Sequence, residues 1–337
     1  MKIIVDGFGG DNAPLAVLEG CAAAVKEYGV SLIVTGDESL IKKTADEHQI
    51  PLDGIEIVHA PDVISMHDDP VSLLKAKSES SMAVGFKLLK EGKGDAFVSG
   101  GSTGAIVVGA NFIVKRLKGI KRAGLATVIP TAKGCYLLMD AGANLDCKPE
   151  TLLHFGLMGS IYMEKVIGRR CPRIGLVNVG EESKKGSALT KVTYEMLTES
   201  DLNFVGNVEA REVPKGACDV IVTDGFTGNV ILKLTEGLAW NILQVIKRKF
   251  TEGIKAKMGA ALLIDKLSGL KKEFDYSEYG GAPILGIKGP VVKMHGSSSA
   301  NAVKNTILKG IPYVTENVVQ TIELSVLEIE ENTFSED

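Results

Sequence analysis

Asp95-Ala96-Phe97-Val98-Ser99 runs straight into Gly100-Gly101-Ser102-Thr103-Gly104, and that loop into Ala105-Ile106-Val107-Val108-Gly109-Ala110. The short apolar run, with its aromatic and β-branched residues, reads as a buried strand. The longer run that follows, as far as Arg116, reads as a helix. The loop between them consists of residues small enough to turn sharply. The same succession recurs elsewhere. Residues 3–6 lead through Gly7-Phe8-Gly9-Gly10-Asp11-Asn12 to a helical pattern over 15–27. Residues 136–140 lead through Ala141-Gly142-Ala143-Asn144 to one over 150–167. Residues 220–223 lead through Asp224-Gly225-Phe226-Thr227-Gly228-Asn229 to one over 230–249. Further strands are expected at 31–35, 55–59, 126–130 and 173–177, and further helices at 71–91 and 187–199. Strands alternating with helices predict an α/β fold, three-layer α/β/α and Rossmann-like, around a mainly parallel sheet. In such a sheet the glycine loops gather at the carboxyl edge of the strands, where ligands bind.

The last third is patterned differently. Residues 250–272 are rich in Lys, Ala and Leu, followed by the loop Tyr279-Gly280-Gly281-Ala282-Pro283 and then His295-Gly296-Ser297-Ser298-Ser299. A long helix from about Ala300 is expected to bend or break at Pro312. No low-complexity linker interrupts the chain. One continuous unit over 1–337 is therefore expected, with 250–272 as a protruding amphipathic helical region.

Composition narrows the function. The 337 residues carry a formal net charge of −4, which argues against a general nucleic-acid binder. The five cysteines are scattered and include no C-x-x-C pair, which fits a reducing cytosol better than a disulfide framework. The histidines are dispersed too, so no metal-ligand spacing emerges. A strand begins at once after Met1, without a signal-peptide pattern, and no apolar run is long enough to span a bilayer.

Glycine loops at helix N-termini suit an anion, because several N–H groups point one way and the helix end is positive. Gly9, Gly10, Ser102, Thr103, Gly104, Asn144, Thr227 and Gly228 are the candidate phosphate or oxyanion ligands. Two competing motifs remain open at this level. Gly7 to Asn12 nearly fits G-x-G-x-x-G, with Asp37 available for a ribose, but Asn12 stands where the third glycine belongs. Gly100-Gly101-Ser102-Thr103-Gly104 fits G-x-S-x-G. With Asp224 and His295 it gives the hydrolase order Ser, Asp, His, a serine thioesterase using Ser102. A non-catalytic sensor of an anion or a carrier protein is the third possibility.

An ordered set of short segments goes further. It comprises Asp6 with Gly9-Gly10-Asp11 and Ala13-Pro14; Asp69-Pro70-Val71; Ser80-Ser81-Met82; Thr103-Gly104-Ala105; and Asp140 with Gly142-Ala143-Asn144 and Lys148-Pro149-Glu150. It continues with Asn178, Gly180, Glu182 and Lys185-Gly186, then Gly206 to Arg211, Asp224 to Asn229, Tyr279 to Ala282, and His295 to Ser298. In this set the chain resembles the PlsX-type acyl-carrier-protein:phosphate acyltransferases over essentially its whole length. Gly7-Phe8 and Ser102 depart from the usual Ala-Met and Asn.

The resemblance implies a fold like that of isocitrate dehydrogenase and phosphotransacetylase, an active homodimer, and no metal or organic cofactor. It implies transfer of a fatty acyl group from acyl carrier protein to inorganic phosphate. The resulting acyl phosphate would feed a glycerol-3-phosphate acyltransferase in bacterial phospholipid synthesis. Lys185 is then the expected cation beside phosphate, Asn229 a group that orients phosphate or the carbonyl, and His295 a proton donor to the leaving sulfur. Asp6, Asp140 and Asp224 are expected to be structural supports, since bare charges there would repel phosphate. Lys115, Arg116, Lys118, Lys121 and Arg122 form a basic cluster suited to an acidic carrier protein. Met258, Leu262, Leu263 and Leu267 mark an apolar face suited to peripheral contact with the inner face of the membrane.

Overall fold

The computed structural model describes residues 1–131, 134–263 and 280–334, and for Leu262 and 330–334 the backbone alone. Its strands are β1 (Lys2–Asp6), β2 (Ser31–Gly36), β3 (Ile55–His59), β4 (Ala96–Ser99), β5 (Gly124–Thr131), β6 (Gly134–Met139), β7 (Ile174–Asn178), β8 (Phe204–Glu209), β9 (Val220–Val222), β10 (Ala282–Leu285) and β11 (Val291–Lys293). The helices are α1 (Leu15–Tyr28), α2 (Glu38–His48), α3 (Ser81–Lys90), α4 (Thr103–Gly109), α5 (Pro149–Lys165), α6 (Ala188–Glu199), α7 (Gly225–Thr251), α8 (Ile254–Leu262), α9 (Ala300–Thr315) and α10 (Val318–Phe334).

All these strands join one sheet in the order β3-β2-β1-β4-β11-β10-β5-β6-β9-β7-β8. The inner strands are buried on both faces, and their successive side chains enter different cores; the edge strands β3 and β8 are partly exposed. Ile3 and Val5 pack with Leu18, Phe155 and Val303 on the side of α1, α5, α6, α9 and α10. Ile4 and Phe97 pack with Phe86 and Ile106 on the side of α3 and α4. This is the three-layer α/β/α arrangement that continuous apolar strands require.

The sheet is mainly parallel but not uniformly so. β10 pairs antiparallel with both β11 and β5, and β5 pairs antiparallel with β6. The half containing β1 to β4 therefore runs opposite to the half containing β6 to β9. The glycine loops do not share one carboxyl edge, as a fully parallel sheet would give; they approach the middle of the sheet from opposite directions. Lys293 at the end of β11 lies level with Ser99 at the end of β4, and with Ala282 at the start of β10. On the other half, Met139 at the end of β6 is level with Ala126 of β5 and Val222 of β9. The two sets of strand ends converge on this row.

Several elements differ from the sequence reading. The Asp37 carboxylate, considered above for a ribose, caps α2 and accepts from the Ser39 and Leu40 N–H groups. The helix expected over 71–91 is divided: a 3-10 turn spans Pro70–Leu74, and Ser80 caps a separate α3 through the Ala83 N–H. The helix from Thr103 passes into π-helix over Ala110–Lys115. Pro312 stays inside α9, because the Glu316 N–H still bonds back to its carbonyl. The break comes at Asn317, with φ +53°. Ala282 and Pro283 begin a strand rather than a loop. Proline is tolerated there because the pairing of β10 with β5 starts only at Ile284.

Candidate active site

The loop after β6 is built around one carboxylate. Asp140 is fully buried, and its Oδ1 accepts from the N–H groups of Leu125, Gly142 and Ala143 at 3.0, 3.2 and 3.1 Å. Its Oδ2 accepts from the N–H and Nδ2 of Asn144 at 2.7 and 2.8 Å. Burial pushes its pKa up, and these donors pull it back. Asp224 does similar work after β9, accepting from the N–H and Oγ1 of Thr227 to cap α7. The two loops interlock. Gly225 N–H donates to the Asn144 carbonyl at 2.7 Å, and a Cβ on Gly228 would overlap the Asp140 carbonyl oxygen. Gly142, at φ +128°, turns the chain beneath Asn229.

On the other half, buried Asp6 accepts from Ser99 Oγ at 2.7 Å and from the Phe8 N–H at 3.3 Å; Ser99 Oγ in turn accepts from the Gly101 N–H. Burial raises the pKa of Asp6 as well. Asp11 N–H donates to the Gly296 carbonyl at 2.7 Å, and Asn12 Nδ2 reaches the carbonyls of Ser297 and Ser298. The loops after β1, β4 and β11 are thus tied into a second rigid cluster.

Between the clusters lies a cleft of about 230 Å³. Its wall includes Thr103, Thr127, Gly142, Asn229, Lys233, Glu236, Ala282, Lys293 and His295. Of the residues expected from sequence, Thr103, Asn229 and His295 meet here. Gly9, Gly10, Ser102 and Gly104 belong to the adjoining loops and do not themselves line the cleft. Asn144 sits in the loop after β6, where its N–H donates to Asp140 and its Nδ2 donates to Asp140 and to the Ala123 carbonyl. Thr227 and Gly228 likewise form the helix start and the contact with Asp140. Lys185 is exposed on the loop between β7 and α6 and does not line the cleft.

Sequence reasoning missed four polar groups, Lys293, Lys233, Glu236 and Thr127. Lys293 is half-buried at the end of β11, with Nζ donating to the Met294 carbonyl at 3.2 Å. Burial pushes its pKa down to about 8, aided by Lys233 and opposed by Glu236. Lys233 and Glu236 pair with each other at 2.8 Å. Thr127 is only 8% exposed, and its Oγ1 has no hydrogen-bond partner among the described residues. Desolvation, then the Lys293 charge, hold His295 below the usual imidazole value, while Nδ1 sits 2.8 Å from Ser297 Oγ. No hydrolase relay runs through Asp224, whose carboxylate is committed to Thr227 rather than to His295.

The N-terminus of α4 faces the same place. Asp37, Ser80, Ser187, Asp224 and Ser299 each cap their helix with a side-chain oxygen, but Ser102 makes no such bond for α4. The first turn carrying Thr103 thus keeps its positive end available.

Comparisons agree with this architecture. The model of a family described as fatty acid synthesis protein matches residues 1–321. A phosphate acyltransferase of Alkaliphilus oremlandii is 47% identical, over 99% of this chain and 100% of the relative. One from Clostridioides difficile is 48% identical over 100% of both. Among solved structures, a phosphotransacetylase from Streptococcus pyogenes matches with a TM-score of 0.66, covering 94% of each chain at 17% identity, so the two share a fold. The chain belongs to the fatty acid synthesis protein family, the family of the phosphate acyltransferases.

Proposed function

We propose that this chain transfers a fatty acyl group from an acyl-carrier-protein thioester to inorganic phosphate, releasing acyl phosphate for phospholipid synthesis. The observation that carries this reading is the convergence of the uncapped start of α4 and Asn229 on one cleft. That is the equipment for holding a phosphate dianion and an oxyanion beside it. Phosphate brings its own nucleophilic oxygen, so the protein needs only to hold it, aim it and stabilise the tetrahedral intermediate. Thr103 and Gly104 at the helix start take the phosphate, and Asn229 orients it or the carbonyl. The glycine loops with Gly9, Gly10 and Ser102 hold that geometry.

The working unit in this proposal is a homodimer. On α7, Phe226, Val230, Leu234, Leu238, Ile242 and Val245 are exposed at spacings of three and four, an apolar stripe that starts beside Asn229. A second copy packed there covers the stripe and brings further residues close to the cleft. This is the route by which Lys185, exposed in its own protomer, serves phosphate. For the acidic carrier protein, Lys115, Arg116, Lys118, Lys121 and Arg122 are all exposed, while Val114, Leu117 and Ile120 between them are buried. Lys115 and Arg116 share a surface hollow with exposed Phe112, so basic groups border an apolar contact there. Peripheral membrane contact, beside the downstream acyltransferase and from the cytoplasmic side, falls to α8. Its Ile254 and Met258 are exposed, as is Leu263 just beyond it; Leu267 lies outside the described residues. Among the described residues no helix is long and apolar enough to cross a membrane.

The test is to incubate the protein with palmitoyl-acyl carrier protein and phosphate and to trap the product with hydroxylamine. Phosphate-dependent acyl hydroxamate supports the reading. Release of free acid independent of phosphate, with Ser102 labelled by a fluorophosphonate, would replace it with a thioesterase.

A further inference from the structure

We infer that Lys293 is the proton donor to the leaving sulfur in the acyl transfer proposed above. The inference rests on that reading and goes beyond it. Lys293 and Ala282 are directly opposed across the β10–β11 pair. The β5–β10 ladder, set by Leu125 opposite Ile284, brings Thr127 into the same row when continued two positions. Lys293, Ala282 and Thr127 all face the cleft, and small Ala282 leaves space between the two polar side chains. The buried Thr127 hydroxyl, lacking a partner among the described residues, is an independent sign that a polar ligand atom completes this floor.

The charge environment fits a donor. Among the described residues, the charged and titratable groups facing Lys293 are Lys233 and Glu236 on α7 and His295 on its own loop. The flanking strands β4 and β10 place uncharged Ser99 and Ala282 level with it. An amine at about 8 is nearly matched to an alkyl thiol, which titrates at about 8.5, so proton transfer between them is close to balanced. His295 is held below the usual imidazole value by desolvation and by the Lys293 charge, so near neutral pH it carries a proton to give away less often than Lys293 does.

The step balances without an outside acid. An oxygen of hydrogen phosphate attacks the thioester carbon and a C–O bond forms. The tetrahedral oxyanion collapses, and the C–S bond breaks with its electron pair on sulfur. The Lys293 ammonium delivers its proton to that sulfur. The remaining O–H of the phosphate, made more acidic by acylation, returns a proton to the amine. The net result is acyl phosphate, free thiol and an unchanged lysine.

The full-length protein is assayed for phosphate-dependent acyl hydroxamate with two donors, palmitoyl-pantetheine and the phenyl thioester of palmitate. An alkyl thiolate needs a proton to leave; a phenyl thiolate leaves without one. K293M is expected to lose ~100-fold in kcat or more on the pantetheine donor but to stay within about fivefold of wild type on the phenyl donor. K293R keeps the charge but does not release a proton, so it is expected to fail in the same donor-selective way. The wild type needs no substitution for a second readout. A general acid must be protonated, so kcat falls as pH rises through about 8 with the pantetheine donor and stays flat with the phenyl donor. Equal losses on both donors would make Lys293 an anchor for phosphate and overturn the proposal. So would a K293M variant within about twofold of wild type on the pantetheine donor. If the wild type itself forms no phosphate-dependent product from either donor, the acyl-transfer reading falls first and this proposal with it.

Discussion

Replacing Asp140 by asparagine keeps the shape of the side chain and removes one acceptor. The structure sets the size of the effect. Oδ1 serves three backbone N–H groups, and Oδ2 serves the N–H and Nδ2 of Asn144. The cheaper orientation of an asparagine keeps its oxygen on the three and turns its NH₂ toward the two. Donor then faces donor twice in a fully buried place. Rotating the Asn144 amide does not repair this, because its oxygen would then meet the Ala123 carbonyl. Each stranded buried donor costs about 1–3 kcal/mol, so D140N is expected to lose roughly 2–6 kcal/mol of stability. That is a large share of the ~5–15 kcal/mol a folded domain has.

The assay is urea unfolding followed by circular dichroism, with phosphate-dependent hydroxamate formation measured on the folded variant. The loop touches Asn229 through Gly142, so activity should fall with stability. The opposing view is that Asp140 is a bare negative charge beside an anion site. It predicts that D140N folds as well as wild type, within about 0.5 kcal/mol, and binds phosphate more tightly. A stable D140N with a lowered KM for phosphate would refute the reasoning.

Three further outcomes are expected. L234E with L238E places two charges on the exposed stripe of α7. Sedimentation velocity should show a monomer where the wild type is a dimer, and an unchanged dimer would remove the stripe from the interface. M258E with L263E on and beside α8 should reduce flotation with anionic liposomes, and unchanged flotation would count against a membrane-facing tip. Asp219 is pushed up by burial, but the side chain and N–H of Arg173 outweigh this and hold it below the usual carboxylate range. A depressed carboxyl stabilises the fold above its unfolded value of about 3.9, and that contribution disappears as pH falls through the folded value. D219N should therefore be less stable than wild type by about 1–3 kcal/mol at pH 7 in urea unfolding, and the gap should narrow below pH ~4.

The strands were legible wherever both faces are buried, because Ile3-Ile4-Val5 or Val220-Ile221-Val222 has no alternative use. The misses have physical reasons. β8 carries Gly206 at φ +99° and the polar Asn207, and β10 contains Pro283, so neither looks like a strand until its partners are present. The long pattern over 71–91 hides its break because Ser80 lies in the polar stretch from Lys75 to Ser81, which reads equally well as the exposed face of one continuous helix. At the site, Asn229, Thr103 and His295 were findable because each sits next to glycine or in a loop of small residues. Lys293 was not. It follows two valines in an ordinary strand, and only the sheet order reveals what it faces. The signal available was a lysine inside the run from Val291 to Met294, where a strand buried on both faces has little use for a charge.

The same sheet order explains why acidic residues stand so close to a proposed anion site. Had all strands run one way, Asp6, Asp140 and Asp224 would crowd a single edge with little else to neutralise them. With the two halves opposed, each aspartate closes the end of its own strand and is met by the amides of the loop it starts. Their charge is consumed in shaping two rigid rims. The β10–β11 hairpin, entering between the halves from the last third of the chain, supplies what those rims lack. It brings Lys293 to the row where the strand ends converge, and it does so on hydrogen-bonded backbone rather than on a mobile loop. A cation that must pass a proton to one particular atom gains from being held on a strand. Each rim alone would offer glycine turns and neutral donors. In the proposed reaction the chemistry is placed where the hairpin joins them, so the residues most worth altering are those of the hairpin and its neighbour β5.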